Sequence, residues 1–131
     1  MTGQPEAILA LARDDLTTAR RDLGAGYPRP AASRAYYAVF HAVSAALSKA
    51  GVPTKSHAGM RSQFSRVLVL DGPFETADAK ALARLSRLRH DADYEVGRDV
   101  SVEAAREAVA DAAALVERLA AWVASEEGGV E

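Results

Sequence analysis

Apolar positions along this chain recur at steps of three and four, the period of helices that bury one face. Leu9, Ala12, Leu16, Ala19 and Leu23 mark a first helix, with Pro5 suited to its first helical position and Gly24 and Gly26 ending it. Tyr27-Pro28-Arg29-Pro30 reads as a stiff connection, and a second helix is expected from about Ala31 to Ala50, with Tyr36, Phe40, Val43 and Leu47 on one face. Gly51-Val52-Pro53 stops it. Ser56 is a natural N-cap for a shorter third helix carrying Met60, Phe64, Val67 and Leu68, and Asp71-Gly72-Pro73 makes a turn. A fourth helix is predicted over about Glu75 to Glu95, ended by Gly97. Ser101 caps a fifth with the stripe Ala105, Val109, Ala112, Val116, Leu119 and Val123. Short connections between long helices make antiparallel neighbours, so the expected fold is an all-α, up-and-down bundle of about five helices. One domain over 1–131 is expected, with a core over about 5–124 and a frayed tail from Ser125 to Glu131.

Composition narrows the picture in the same direction. The chain holds 29 Ala and 12 Leu but one Ile, a balance that favours helix over sheet. With no Cys, disulfides, thiolate zinc sites and cysteine nucleophiles are all excluded. No apolar run approaches the roughly 20 residues of a membrane span. Residues 1–10 lack the basic-then-apolar order of a secretory signal, so a cytoplasmic protein with no membrane partner is expected. The net charge of −2 hides an asymmetry: residues 1–70 carry 9 Lys+Arg against 4 Asp+Glu, and residues 71–131 carry 7 against 14. A polyanion at the first half, complementary halves in a dimer, and scattered solvated charge all remain open.

The fourth helix carries the densest chemistry, in the run Arg84-Leu85-Ser86-Arg87-Leu88-Arg89-His90-Asp91-Ala92-Asp93-Tyr94. Ala81, Leu85, Leu88 and Ala92 share one face, while Arg84, Arg87, His90, Asp91 and Tyr94 fall within about 120° on the other. Solubility alone would be served by Lys and Glu. Arg, His and Tyr are instead residues of anion contact and proton transfer. Arg89 lies within the apolar arc, where a charge is costly unless paired. Asp93 is one turn later, so either the two form an internal pair or Arg89 is aimed into a cleft between subunits. The second helix has a polar stripe of Arg34, Tyr37, His41, Ser44 and Ser48. Tyr36 and Tyr37 cannot point the same way, so one packs inward and one reaches sideways. His41 has a structural and a functional reading, and His57 beside Ser56 is expected to order its loop.

Other chemistries find no footing. His41, His57 and His90 show no metal-ligand spacing, so no metal and no cofactor is expected. There is no phosphate-binding Gly loop, dinucleotide fingerprint or Ser-nucleophile elbow. Nor do the basic residues gather on one helix as a DNA-reading helix-turn-helix would require.

Three segments together resemble the HEPN family, in particular its small stand-alone prokaryotic proteins. They are Ser33-Arg34-Ala35-Tyr36-Tyr37-Ala38-Val39-Phe40-His41-Ala42, then Lys55-Ser56-His57-Ala58-Gly59, then Arg89-His90-Asp91-Ala92-Asp93-Tyr94. The resemblance runs from about Ala7 to Val123. It implies a helical bundle, a homodimer with a cleft between protomers, and metal-independent ribonuclease activity in a toxin paired with a nucleotidyltransferase antitoxin. The family signature is Arg, four to six residues, then His, which Arg84 and His90 meet with five between. Related toxins place the His two positions before the motif Tyr; here that position is Ala92, and His90 stands four before Tyr94. On this reading His90 moves the proton, Arg84, Arg87 and Arg89 steady the phosphate, and Arg34, Tyr37 and His41 contribute to binding. Tyr94 matches the tyrosine that the partner modifies with AMP. The alternative is a non-catalytic HEPN dimer that binds a nucleotide or a partner nucleotidyltransferase.

Overall fold

The computed structural model describes residues 3–52, 56–70, 72–94 and 99–125. Five helices follow one another: α1 (Gly3–Gly24), α2 (Pro28–Lys49), α3 (His57–Gln63, continued without a break by a π-helical stretch, Phe64–Leu70), α4 (Thr76–Tyr94) and α5 (Val102–Ala124). Among the described residues there is no strand, and the fold is all-α. Three boundary expectations, Pro53, Asp71 and the stop at Glu95–Gly97, lie outside the described residues, as do Lys55 and the tail from 126 to 131.

The second helix starts earlier than its apolar pattern implied. Pro28 and Pro30 sit in its first turn rather than in a connection. The physical reason is that amides of the first turn have no intrahelical acceptor, so proline loses nothing there. Gly26, at φ 87°, supplies the turn between α1 and α2 that a residue with a Cβ would resist. Ser56 and Ser101 cap their helices as expected, accepting from Gly59 N at 2.9 Å and Ala104 N at 3.0 Å. The third helix has the extent its pattern suggested, but its second half is π-helical. Its π stretch keeps Phe64 and Leu68 buried, and Phe74 N donates to the Leu68 carbonyl at 2.9 Å to close the end.

The position of α2 decides the architecture. It packs against α1, α4 and α5, and its alanines at 31, 32, 35, 38, 42, 45 and 46 are buried. Small side chains on several faces let three neighbours approach one axis closely, and the larger Tyr36, Val39, Val43 and Leu47 fill what remains. Polar ties fix the ends of this packing. Arg29 donates from Nε to the Ala92 carbonyl (3.1 Å) and from Nη2 to the Asp91 carbonyl (3.2 Å), satisfying the C-terminus of α4. Lys49 does the same for α5, donating to the carbonyl of Ser125 at 2.7 Å while its ammonium sits 4.3 Å from the Trp122 ring centroid. At the other end of α4, buried Asp78 accepts from Glu75 N at 2.9 Å and pairs with Arg118 of α5. Burial alone would raise the Asp78 pKa; the Arg118 and Glu75 hydrogen bonds outweigh it and hold the carboxyl below its usual value.

Candidate functional site

Helices α3 and α4 face each other across an open groove of about 620 Å³ lined by His57, Ala58, Arg61, Ala83, Ser86, Arg87, Arg89 and His90. Its described lining therefore carries three guanidiniums, two imidazoles and no carboxylate. Such a surface suits an anion: each Arg offers a planar fork of donors, and no carboxylate among the described lining competes. Arg61 donates to Ser86 Oγ at 2.9 Å, which ties the two walls together and orients one guanidinium along the groove.

Arg89 is the centre of the arrangement. Its side chain is only 12% exposed, and its guanidinium carbon lies 5.0 Å from the Tyr36 ring centroid, 5.9 Å from Tyr37 and 5.7 Å from Tyr94. Three ring faces thus share one cation. Of the two readings, the pair with Asp93 is present but loose, at 3.8 Å, and Arg89 also lines the α3–α4 groove of its own chain. Its Nε is buried with no hydrogen-bond partner among the described residues.

Behind Arg89 lies an aromatic layer. Tyr36 is fully buried and Tyr37 half-buried, the inward and sideways split expected of neighbours on a helix. The Tyr36 hydroxyl lies 2.7 Å from His57 Nδ1, and the His57 ring stacks on Phe40 with centroids 4.4 Å apart. Burial raises the Tyr36 pKa, against a smaller downward pull from Arg61 and Arg89. Burial also lowers the His57 pKa, and Arg89, Arg61 and His41 lower it further. Phenol and imidazole are therefore both neutral near pH 7.

The remaining candidates divide between neighbouring regions. Arg87 and His90 are exposed on the groove, and the His90 ring lies 5.2 Å from that of Tyr94, which is 63% exposed. Arg84 lies elsewhere: it faces α5, 3.9 Å from Asp111, on a separate depression between α4 and α5. Arg34 and His41 converge on buried Asp15 of α1, at 3.2 and 2.7 Å, and Arg34 also stands 4.9 Å from the Tyr37 ring centroid. Sequence reasoning did not find Arg61 or Ser86, and gave His57 only a loop role. Helical periodicity shows which residues share a face but not which face another helix will oppose. The position of Arg61 four residues after His57 was the available signal.

Among the described residues, no group of three or more His, Asp or Glu could hold a metal ion, and no helix is long and apolar enough to cross a membrane. A family model described as the HEPN domain matches residues 5–122. The chain is also 30% identical over 99 residues to a protein of Methanocaldococcus jannaschii named "Putative toxin MJ0605", an alignment covering 76% of this chain and 74% of that protein.

Proposed function

Because the chain belongs to the HEPN domain family, we propose that it is a ribonuclease toxin that cuts RNA in the α3–α4 groove with its own side chains. The observation that carries this reading is the convergence of Arg61, Arg87, Arg89, His57 and His90 on one groove with no carboxylate among its described lining. The name of the archaeal relative supports the toxin assignment. On this reading the protein acts in the cytoplasm as a homodimer whose two grooves supply the arginines twice, and a nucleotidyltransferase is its antitoxin.

The chemistry needs one proton taken, one given, and charge stabilised. His90 takes the proton of an RNA 2′-hydroxyl, and the freed oxygen attacks the adjacent phosphorus. The bond to the 5′-oxygen breaks, that oxygen takes a proton from water, His90 returns its proton to solvent, and a 2′,3′-cyclic phosphate remains. Arg87 and Arg89 stabilise the extra negative charge of the phosphorane. Arg84 would reach the substrate only by leaving Asp111, so it is given no part in the step. Tyr94, exposed beside His90 and Arg89, is the site where the partner attaches AMP; a bulky anion there would occupy the guanidiniums that RNA phosphate requires.

The test is cleavage of single-stranded RNA by purified chain in the presence of a chelator. Wild type should cut, and His90→Ala should lose cutting by about 100-fold or more while its circular dichroism is unchanged. Cleavage indifferent to His90→Ala would remove the assignment. One observation favours the non-catalytic reading: Arg89 is largely enclosed by aromatic rings, as a structural cation would be. A protein that binds a nucleotidyltransferase but cuts no RNA would establish that alternative.

A further inference from the structure

Resting on the ribonuclease reading, we infer that His57 holds an RNA phosphoryl oxygen through Nε2–H, as a neutral imidazole whose tautomer is set by Tyr36. The geometry begins with the 2.7 Å contact between the Tyr36 hydroxyl and His57 Nδ1. One proton lies between these atoms. A phenol O–H is a better donor than a neutral imidazole N–H, and an imine nitrogen is a better acceptor than a phenol oxygen. The guanidiniums of Arg61 and Arg89 bear on the same phenol and favour its oxygen lone pairs facing them, with the proton turned toward the ring. Nδ1 is therefore the acceptor, and the ring proton sits on Nε2.

The surroundings keep that state. From α2, Tyr36, Tyr37 and Phe40 contact the ring, and His41 faces it electrostatically; Arg61 acts from α3 and Arg89 from α4. The charged groups acting on it are cationic, so gaining a second proton is opposed from every side. With Nδ1 occupied, Nε2–H is the ring donor that His57 has left to offer the groove it lines beside Arg61 and Arg89. A neutral donor there adds direction to a site already rich in charge, and does so without repelling the guanidiniums. Tyr36 is a positioning residue: it touches no substrate, but it decides which nitrogen carries the proton.

The experiment separates binding from cleavage by using a fluorescent 2′-O-methyl RNA oligonucleotide, which lacks the attacking hydroxyl. In full-length protein, nitrogen NMR at pH 7 should show His57 protonated on Nε2 and bare on Nδ1. His57→Ala should bind the oligonucleotide about 10- to 100-fold more weakly, the range for a hydrogen bond to a charged group. His57→Gln, whose amide N–H reaches close to the Nε2 position, should recover most of that loss. Tyr36→Phe keeps the ring and removes the donor, so it should give a mixture of tautomers and weaker binding with the helical spectrum unchanged. A wild-type Nδ1–H tautomer, or a folded His57→Ala that binds like wild type, would overturn the inference while cleavage by wild type left the ribonuclease reading standing. Wild type that neither binds nor cuts RNA would overturn both.

Discussion

Replacing Arg89 by Met tests whether this side chain supports the fold or the groove. Met has a similar length and can fill the slot between Tyr36 and Tyr94. Several favourable contacts disappear with the guanidinium. The three ring faces of Tyr36, Tyr37 and Tyr94 share one cation and are together worth about 2 kcal/mol. The loose 3.8 Å pair with Asp93, whose side chain is 29% exposed, is worth no more than about 1 kcal/mol. The hydrogen-bond contact to the Tyr94 hydroxyl, at 3.5 Å and exposed, adds little. Against these stands the cost of keeping Arg89 Nε buried without a partner, about 1–3 kcal/mol, which Met removes together with the desolvation of a charge. The two sides nearly cancel, so urea unfolding should place Arg89→Met within about 1 kcal/mol of wild type. RNA cleavage and oligonucleotide binding should fall at least tenfold, because one groove cation is gone. A loss of more than about 3 kcal/mol would refute the reasoning, since it is the signature of breaking a well-formed buried ion pair.

The same geometry makes Asp93→Ala mild, about 1 kcal/mol in the same unfolding assay, rather than the several kcal/mol that an enclosed Arg–Asp pair would cost. Asp78→Ala should be costlier, about 2–4 kcal/mol, because it removes both the Arg118 pair and the bond to Glu75 N that closes the start of α4. Since the Asp78 pKa is depressed in the folded state, its contribution is fully present above the unfolded carboxylate pKa and is lost as pH falls through the folded value. Asp78→Asn should therefore flatten the acid limb of a stability-against-pH curve. Gly72→Ala should destabilise by about 1–3 kcal/mol in thermal melts, because the new Cβ would sit 2.7 Å from the Leu68 carbonyl oxygen, a backbone atom that cannot swing aside. Under the proposed function, mass spectrometry after co-expression with a nucleotidyltransferase antitoxin should find an AMP adduct on Tyr94; an adduct confined to other residues would refute that assignment.

The local chemistry of this chain was written in its sequence. Apolar steps of three and four placed five helices, and the Ser56 and Ser101 hydroxyls marked two starts, because capping and one-sided burial are decided within a few residues. That Arg89 sits on the apolar arc of its helix was also legible, from its angle to Leu82 and Leu85. Other features depended on the way helices meet. Whether Arg89 answered to Asp93 or to something else turned on Tyr36 and Tyr37, some fifty residues earlier, and no periodicity connects them. Arg84 and Arg87 are one turn apart on the same polar face, yet one faces Asp111 of α5 and the other the α3 groove. The sequence could not separate them, since the gap between two neighbouring helices runs along that face. Arg61 and His57 gained their place in the groove because α3 packs beside α4. Amphipathic pattern settles what a helix must bury; which partner buries it, and which polar groups that contact brings together, is decided only when the other four pack around α2.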